Sequence, residues 1–500
     1  MMKTRVKILV RFVLFCMVAF FCVQAVNETL TPDSYYTEEW SSANTFKDFY
    51  ELDKNTVDVL FMGSSHAVTA LNPQVIYDRY GITSYNLSSM MQSMVVTYYW
   101  LKEALKYQSP KVVVLETYML HKYPHAEVND LNSAEGALRQ AMDNMKLSPL
   151  KWEAANAIEK IDPTQSGLSY VLLNIRYHSR WTFLTESDFT EKEMINHGAI
   201  KGFSVCDGGI GDYNNLYVPF KDAEAMTTEA EDMFGASGEY LDKIVELCEK
   251  KGIRLVLTKI PSLEPMERYK STKEYAEEHD IPFYDFNEER LYNEIGYNSA
   301  EDQLHHLNHT GAEKISDYFG NLLVTEYGVS LRVDSSYDKS RAFFNHCVYN
   351  IGLTDIGDPY QYLDKINSDY YSVFVFGPSS YSACLDDEMM DKLYALGFST
   401  DLRYCEDNTR YFAMKEAGGT VVERLSREDF VISGSFRNGV ETYTCKVSEN
   451  DQDFSMVIAG SECGNSNPGL NIVVYDNDMK RILDKVNINT TVPELTLSRY

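Results

Sequence analysis

Short, unbroken apolar runs alternate with amphipathic stretches over the first part of this chain. Val57–Met62 is mostly apolar, reads as a strand, and ends at Gly63-Ser64-Ser65-His66. Asn72-Pro73 predicts a helix start, with a capping residue followed by proline at the first helical position. That helix should run from Pro73 to Tyr80 and stop at Gly81. Ile82–Leu87 predicts a second strand, Ser88–Gln92 a polar loop, and Val95–Tyr107 a helix closed by Ser109-Pro110. Lys111–Glu116 shows no polar alternation, as expected of a strand buried on both faces of a parallel sheet. Strand, helix, strand, helix, strand predicts an α/β fold built on a doubly wound parallel sheet.

The alternation breaks over residues 118–228, which are rich in Asn, Met, Tyr and His, with helices predicted near Ala134–Met145 and Pro149–Ile161. This insertion is expected to act as a lid or substrate wall, or as a helical buttress. The pattern then resumes. Leu241, Ile244, Val245 and Cys248 form a helical stripe closed by Gly252, and Arg254–Ile260 and Ile281–Phe286 predict strands. Asp302-Gln303-Leu304-His305-His306-Leu307-Asn308-His309-Thr310-Gly311 leads into an amphipathic helix whose apolar stripe is Ile315, Tyr318, Phe319, Leu322 and Leu323. Residues 329–350 read as a linker, and 351–500 as a separate α+β domain. In that domain Ser372–Phe376 predicts a strand, Asp387–Leu396 a helix ended by Gly397, and Val421-Val422-Glu423 and Ile482–Val486 further strand-like runs. Gly377-Pro378-Ser379-Ser380 imitates the Gly-Ser-Ser block but reads as a turn, having no partner loop.

A length of 500 residues exceeds one ordinary core and implies two domains or more. The net charge of −28 argues against a nucleic-acid partner, since no basic field exists to neutralise phosphates. At the amino terminus Lys3, Arg5, Lys7 and Arg11 precede an apolar run from Phe12 to Val26, interrupted only by Gln24. With Ile8-Leu9-Val10 it nears the ~17-residue lower limit for a span. Residues 1–26 therefore read as a membrane anchor or a cleaved signal, Val23-Gln24-Ala25 offering a cleavage site. Anchor is the preferred reading. The positive flank keeps the amino terminus in the cytoplasm and puts the bulk outside, behind a single span at the cell membrane. Residues 27–50 read as a stalk. Of nine cysteines, Cys16 and Cys22 fall in the apolar run, and no Cys-x-x-Cys pair points to structural zinc.

Chemistry concentrates in two blocks. A small hydroxyl residue just past the carboxyl end of a parallel strand lies where α/β sheets carry their ligands, and Gly63 lets the backbone turn tightly beneath it. A nucleophilic serine needs a base to take its proton, and the base needs an acid to orient it. The second block offers a carboxylate and imidazoles before a helix. Together the blocks resemble the SGNH (GDSL-like) hydrolase superfamily, over residues 51–328. The Gly-Ser-Ser form looks most like its cell-envelope branch, which includes the teichoic-acid D-alanyl transfer protein and the alginate O-acetyltransferases.

The resemblance implies Ser65 as nucleophile, third in Gly-x-Ser, with Ser64 hydrogen-bonding the turn where the family usually has Asp. Counting back from Leu-Asn-x-x-Gly selects His306 as base, whereas counting Asp-x-x-His from Asp302 selects His305. His306 with Asp302 is preferred, with His305 as the alternative base. The oxyanion hole should draw on the Ser65 N–H, with Ser88 (or Ser89) and Gln92 as further donors. Glu116-Thr117-Tyr118 stands where the family has Gly-x-Asn-Asp, which argues against an ordinary secreted lipase. The run Gly469-Leu470-Asn471-Ile472-Val473-Val474-Tyr475-Asp476 makes residues 351–500 resemble an ILEI/PANDER-like domain. The implied activity is an extracytoplasmic serine O-acyltransferase or esterase on acyl, above all acetyl, groups of cell-envelope polysaccharide. It implies no cofactor and no metal, and a membrane-bound O-acyltransferase as working partner. The alternative is a non-catalytic polysaccharide-binding or scaffold protein on the same fold.

Overall fold

The structure is a computed structural model that describes residues 2–31, 42–122, 134–189, 197–206, 217–377, 381–406, 409–447 and 454–500. Two compact units divide the chain, Met1–Val348 and Tyr349–Tyr500. The Ser379-Ser380 turn lies outside the described residues.

In the first unit five strands form one parallel sheet: β1 Val59–Met62, β2 Ser84–Asn86, β3 Val112–Glu116, β4 Arg254–Lys259 and β5 Phe283–Asp285. Their order is β2-β1-β3-β4-β5, with Val59 opposite both Ser84 and Val112, and Val112 opposite Arg254. Successive side chains point to opposite faces, and both faces are apolar. Leu60, Met62, Val113, Leu115, Leu255 and Leu257 join one buried cluster, while Val59, Phe61, Val112, Val114 and Val256 join another. Helices Met94–Ala104 and Gly235–Lys251 contribute to the first cluster, and Pro73–Tyr80 and His309–Thr325 to the second. This double burial is why β3 reads as an uninterrupted apolar run. The order reverses direction between β1 and β3, which is where open α/β sheets bind ligands, beyond the carboxyl ends of their strands.

Local signals place several boundaries. Asn72 Oδ1 accepts from the Gln74 and Val75 N–H groups, Pro73 follows it, and Gly81 ends the helix in the left-handed region at φ 65°. The helix Pro149–Ile161 opens on a Ser148 cap, with its Leu150, Ala154, Ala155 and Ile158 in the first cluster. Together with Leu138, Ala141 and Met142 of Ala134–Asp143, these make the described helical part of the insertion a buttress on the helix Met94–Ala104, with the Trp100 indole donating to the Ala141 carbonyl.

Two segments differ from the sequence reading. Part of the expected stalk is core. Helix Ala43–Phe49 buries Phe46 and Phe49 completely, the first 4.5 Å from the Trp100 ring and the second 5.4 Å from the Tyr85 ring. The expected linker is largely the helix Ser336–Asn350, seated on the first unit by Tyr337. Tyr337 stacks on Tyr77 at 3.8 Å and donates to the Ser84 carbonyl at 2.8 Å. In both cases a few aromatics in a polar context supply the burial that composition conceals.

The second unit holds a six-stranded antiparallel sheet, β15-β14-β13-β6-β7-β8, and a four-stranded one, β12-β11-β10-β9. The strands are β6 Tyr371–Gly377, β7 Arg410–Lys415, β8 Val421–Ser426, β9 Phe430–Phe436, β10 Glu441–Val447, β11 Ser455–Ile458, β12 Ser461–Glu462, β13 Leu470–Asp476, β14 Arg481–Asn489 and β15 Thr496–Arg499. Phe374, Phe412 and Val473 of the larger sheet cluster with Phe436, Tyr443 and Met456 of the smaller. The other face of the larger sheet is covered by helices Pro359–Ile366 and Asp387–Ala395. The four-stranded sheet went unread, because its two longer strands, β9 and β10, are half exposed and its other two are short.

Phe46 separates stalk from core. Phe46→Ala is expected to cost about 3–5 kcal/mol of stability, read as a large drop in melting temperature. A stalk residue would leave it unchanged.

Candidate active site

The serine block is fixed by what lies beneath it. β1 ends at Met62, Gly63 makes the turn, and Ser64 caps a short helix, Ser65–Ala70, its Oγ accepting the His66 N–H at 3.2 Å. Sequence reasoning placed no helix before Pro73, so Ser65 at the first turn of this one is new. A Cβ on Gly63 would stand 2.6 Å from Glu116 Cβ and 3.1 Å from Ala67 Cβ, so only glycine fits. Glu116, the buried last residue of β3, takes Ser64 Oγ–H at 2.6 Å and Ser64 N–H at 3.1 Å on one carboxylate oxygen. Its other oxygen takes the Tyr118 N–H at 2.6 Å. Burial pushes the Glu116 carboxyl up, and the hydrogen bonds from Ser64 and Tyr118 oppose that.

The histidine loop is held at both ends. Leu304 and Leu307 are buried, the His305 N–H donates to the Pro261 carbonyl at 2.9 Å, and Asn308 Oδ1 caps the following helix through the Gly311 N–H. Gln303 and His305 adopt left-handed backbone at φ 69° and 62°, which costs about 1 kcal/mol or more each. Such strain persists only where the surroundings over-determine it.

This loop brings His306 Nε2 to 2.8 Å from Ser65 Oγ, across 241 residues of sequence. Burial, with a smaller push from His305, lowers the His306 pKa to about 4, so the ring is neutral at physiological pH. In the Nδ1–H tautomer the serine hydroxyl donates to Nε2, the geometry in which a base removes the proton. His305 instead accepts the Leu263 N–H on Nε2 at 3.3 Å. His66 is buried, its ring 4.1 Å from Tyr118, 5.4 Å from His305 and 5.8 Å from His306. Burial first, then the neighbouring imidazoles and lysines, drives its pKa well below the ordinary value.

The remaining expected residues divide. Asp302 is nearly fully buried but engaged elsewhere: Oδ2 takes Lys314 Nζ at 2.6 Å and the Asn298 N–H at 2.7 Å, and Oδ1 takes Thr310 Oγ1 at 3.1 Å. It ties the helix Ser299–Asp302 to the helix His309–Thr325, whose Gly311 leaves room for the close approach. Gln92 spends its amide N–H groups on the Leu87 carbonyl and Thr97 Oγ1, and its oxygen on Ser89 Oγ. Ser88 Oγ is buried with no hydrogen-bond partner among the described residues, on a loop tied to the turn by the Ser89 N–H to the Gly63 carbonyl. The Ser65 N–H, in the first turn of its helix, has no acceptor among the described residues.

Sequence reasoning missed Glu116, although a carboxylate closing a wholly apolar strand was a usable signal. It also missed the charges beside the histidines. Buried Lys259 meets Glu264 at 3.1 Å, Arg268 meets the same carboxylate at 2.7 Å, and Lys122 lies 3.5 Å over the Tyr118 ring. Burial pushes Glu264 up, but these cations outweigh it and hold the carboxyl below the usual range. A groove of about 430 Å³, lined by Lys111, Arg254, His279 and Tyr327 among others, opens at the opposite, amino-terminal rim of the sheet.

No protein-family model matches this chain, and no curated protein matches it significantly. The functional reading therefore stands on the geometry: a hydroxyl within proton-transfer distance of a neutral imidazole, at the carboxyl end of a parallel sheet, with an unspent N–H at the same turn.

Two consequences of this geometry are measurable. Any Ser65-dependent activity should fall on the acid side with an apparent pKa near 4, because protonating His306 removes the lone pair facing Ser65. Asp302→Asn should lower stability by about 1–3 kcal/mol and slow turnover less than about ten-fold. An acid orienting the base would instead be worth about four orders of magnitude.

Proposed function

We propose that this protein is an extracytoplasmic serine O-acyltransferase or esterase acting through an acyl-enzyme on Ser65. It belongs by this reading to the cell-envelope branch of the SGNH-type hydrolases, with a doubly wound sheet at its core. The 2.8 Å approach of Ser65 Oγ to His306 Nε2 carries the reading. Ser65 Oγ attacks the acyl carbonyl as its proton passes to His306 Nε2. The Ser65 N–H, joined by the Ser88 hydroxyl, stabilises the tetrahedral oxyanion. Collapse expels the donor oxygen, which takes the proton back from His306, and leaves the acyl group esterified to Ser65. An acceptor hydroxyl then gives its proton to His306 and attacks that ester, regenerating the free serine. A sugar hydroxyl as acceptor gives transfer, and water gives hydrolysis.

The substrate class follows from location and resemblance. The helix Met2–Leu30 is long and apolar enough to cross a membrane, a property that a signal sequence shares. As a retained anchor it leaves the site outside the cell, facing envelope polysaccharide, with small acyl groups such as acetyl as cargo. A membrane-bound O-acyltransferase is the partner that would export the acyl group. The second unit, read as ILEI/PANDER-like, is proposed to hold polymer or a protein partner.

One observation favours a second reading, a non-catalytic polysaccharide platform: Asp302 is bonded to Lys314 rather than placed behind His306. An assay of the full-length protein with p-nitrophenyl acetate and an oligosaccharide acceptor separates the possibilities. Ser65→Ala should abolish release above background, and acceptor-stimulated release with acetyl on the sugar identifies a transferase. Release that water alone supports identifies an esterase. Equal rates for wild type and Ser65→Ala would favour the platform.

A further inference from the structure

The last turn of the amino-terminal helix is clasped by the insertion. Asn27, Leu30 and Thr31 are buried. The Asn174 N–H donates to Asn27 Oδ1 at 2.9 Å, and the Arg180 guanidinium donates to the Leu30 carbonyl at 2.8 Å. Arg180 is itself fixed by Asp188 at 2.7 Å, and Asp188 accepts the Thr185 N–H at 2.9 Å.

Each clasp residue is followed in sequence by an exposed apolar side chain: Ile175 after Asn174, Trp181 after Arg180, Phe189 after Asp188. Phe183 stands two positions beyond Trp181. Trp181, Phe183 and Phe189 are 69%, 76% and 70% exposed, which in water leaves three aromatic side chains uncovered on neighbouring segments. The charge pattern is equally local. In a chain of net charge −28, the stretch from Pro163 to Thr185 contains no Asp or Glu but carries Arg176, His178 and Arg180. Exposed aromatic side chains on the segments that clasp the end of an apolar helix match the chemistry of a bilayer interface, although Phe189 is flanked by Glu186 and Asp188.

We infer that Ile175, Trp181, Phe183 and Phe189 form a collar that seats in the outer-leaflet interface of the membrane. This rests on the reading of Met2–Leu30 as a retained span. The span supplies attachment, and the collar with its Asn174–Arg180–Asp188 clasp fixes how the first unit stands on the bilayer. A lone span would let the unit swing on a tether, whereas a seated collar holds it at one height.

Trp181 is one of four tryptophans, with Trp40, Trp100 and Trp152, so the emission lost in Trp181→Phe reports its surroundings. The full-length protein is placed in nanodiscs of phosphatidylglycerol and phosphatidylethanolamine, some of whose acyl chains are brominated near the glycerol. The Trp181-specific emission is expected to fall at least about two-fold with brominated lipid and to resist aqueous iodide. Quenching by iodide but not by brominated lipid would overturn the collar while leaving the anchor intact. Protection from both quenchers would also overturn it, in favour of coverage by protein. The anchor is read separately, from the amino-terminal mass of the membrane-bound protein in cells. A chain cleaved after Ala25 would remove the anchor, and the collar with it.

Discussion

The buried carboxylate of Glu116 is the constraint on which the serine site depends. It ends β3, lies under Gly63 at the end of the adjacent β1, and takes both the N–H and the hydroxyl of Ser64. Those bonds make Ser64 a cap for the helix that begins at Ser65, so the Ser65 backbone is set by a neighbouring strand. Register therefore carries through to chemistry. Phe61 pairs with Val114 and Met62 with Leu115, so a one-residue slip would turn Glu116 away from the turn.

Across from the serine turn, strain and burial hold the His306 ring. Two left-handed residues, Gln303 and His305, are tolerated because Leu304 and Leu307 pin the loop between them into the core. Burial holds His306 neutral, which makes it a ready proton acceptor, and its pKa near 4 makes it a weak one. Negative charge brought beside the ring would raise that basicity, whereas further exclusion of water would lower it. Asp302 anchors the helix that follows the loop, through Lys314 and Thr310.

Much of this was legible from sequence wherever a local rule had a local cause. Asn72-Pro73 and Gly81 marked a helix because capping and left-handed geometry act on neighbouring residues. The continuous apolar run of β3 marked a buried strand. The pairing of Ser65 with His306 was reachable only by joining two distant blocks through a family resemblance. Two readings missed because burial is a tertiary property. Phe46 and Tyr337 sit in polar stretches that look like stalk and linker, yet each fills a core position. The role of Asp302 was beyond spacing rules, since Lys314, one turn into the next helix, reaches its carboxylate at 2.6 Å.

Whether His306 activates Ser65 can be read from covalent labelling with a fluorophosphonate. Wild-type protein should carry one adduct, mapped to Ser65 by peptide mass. His306→Ala should slow labelling by about two orders of magnitude or more, while His305→Ala keeps labelling within a few-fold of wild type. An unlabelled Ser65 in a folded wild-type chain, or equal labelling after His306→Ala, would contradict the account.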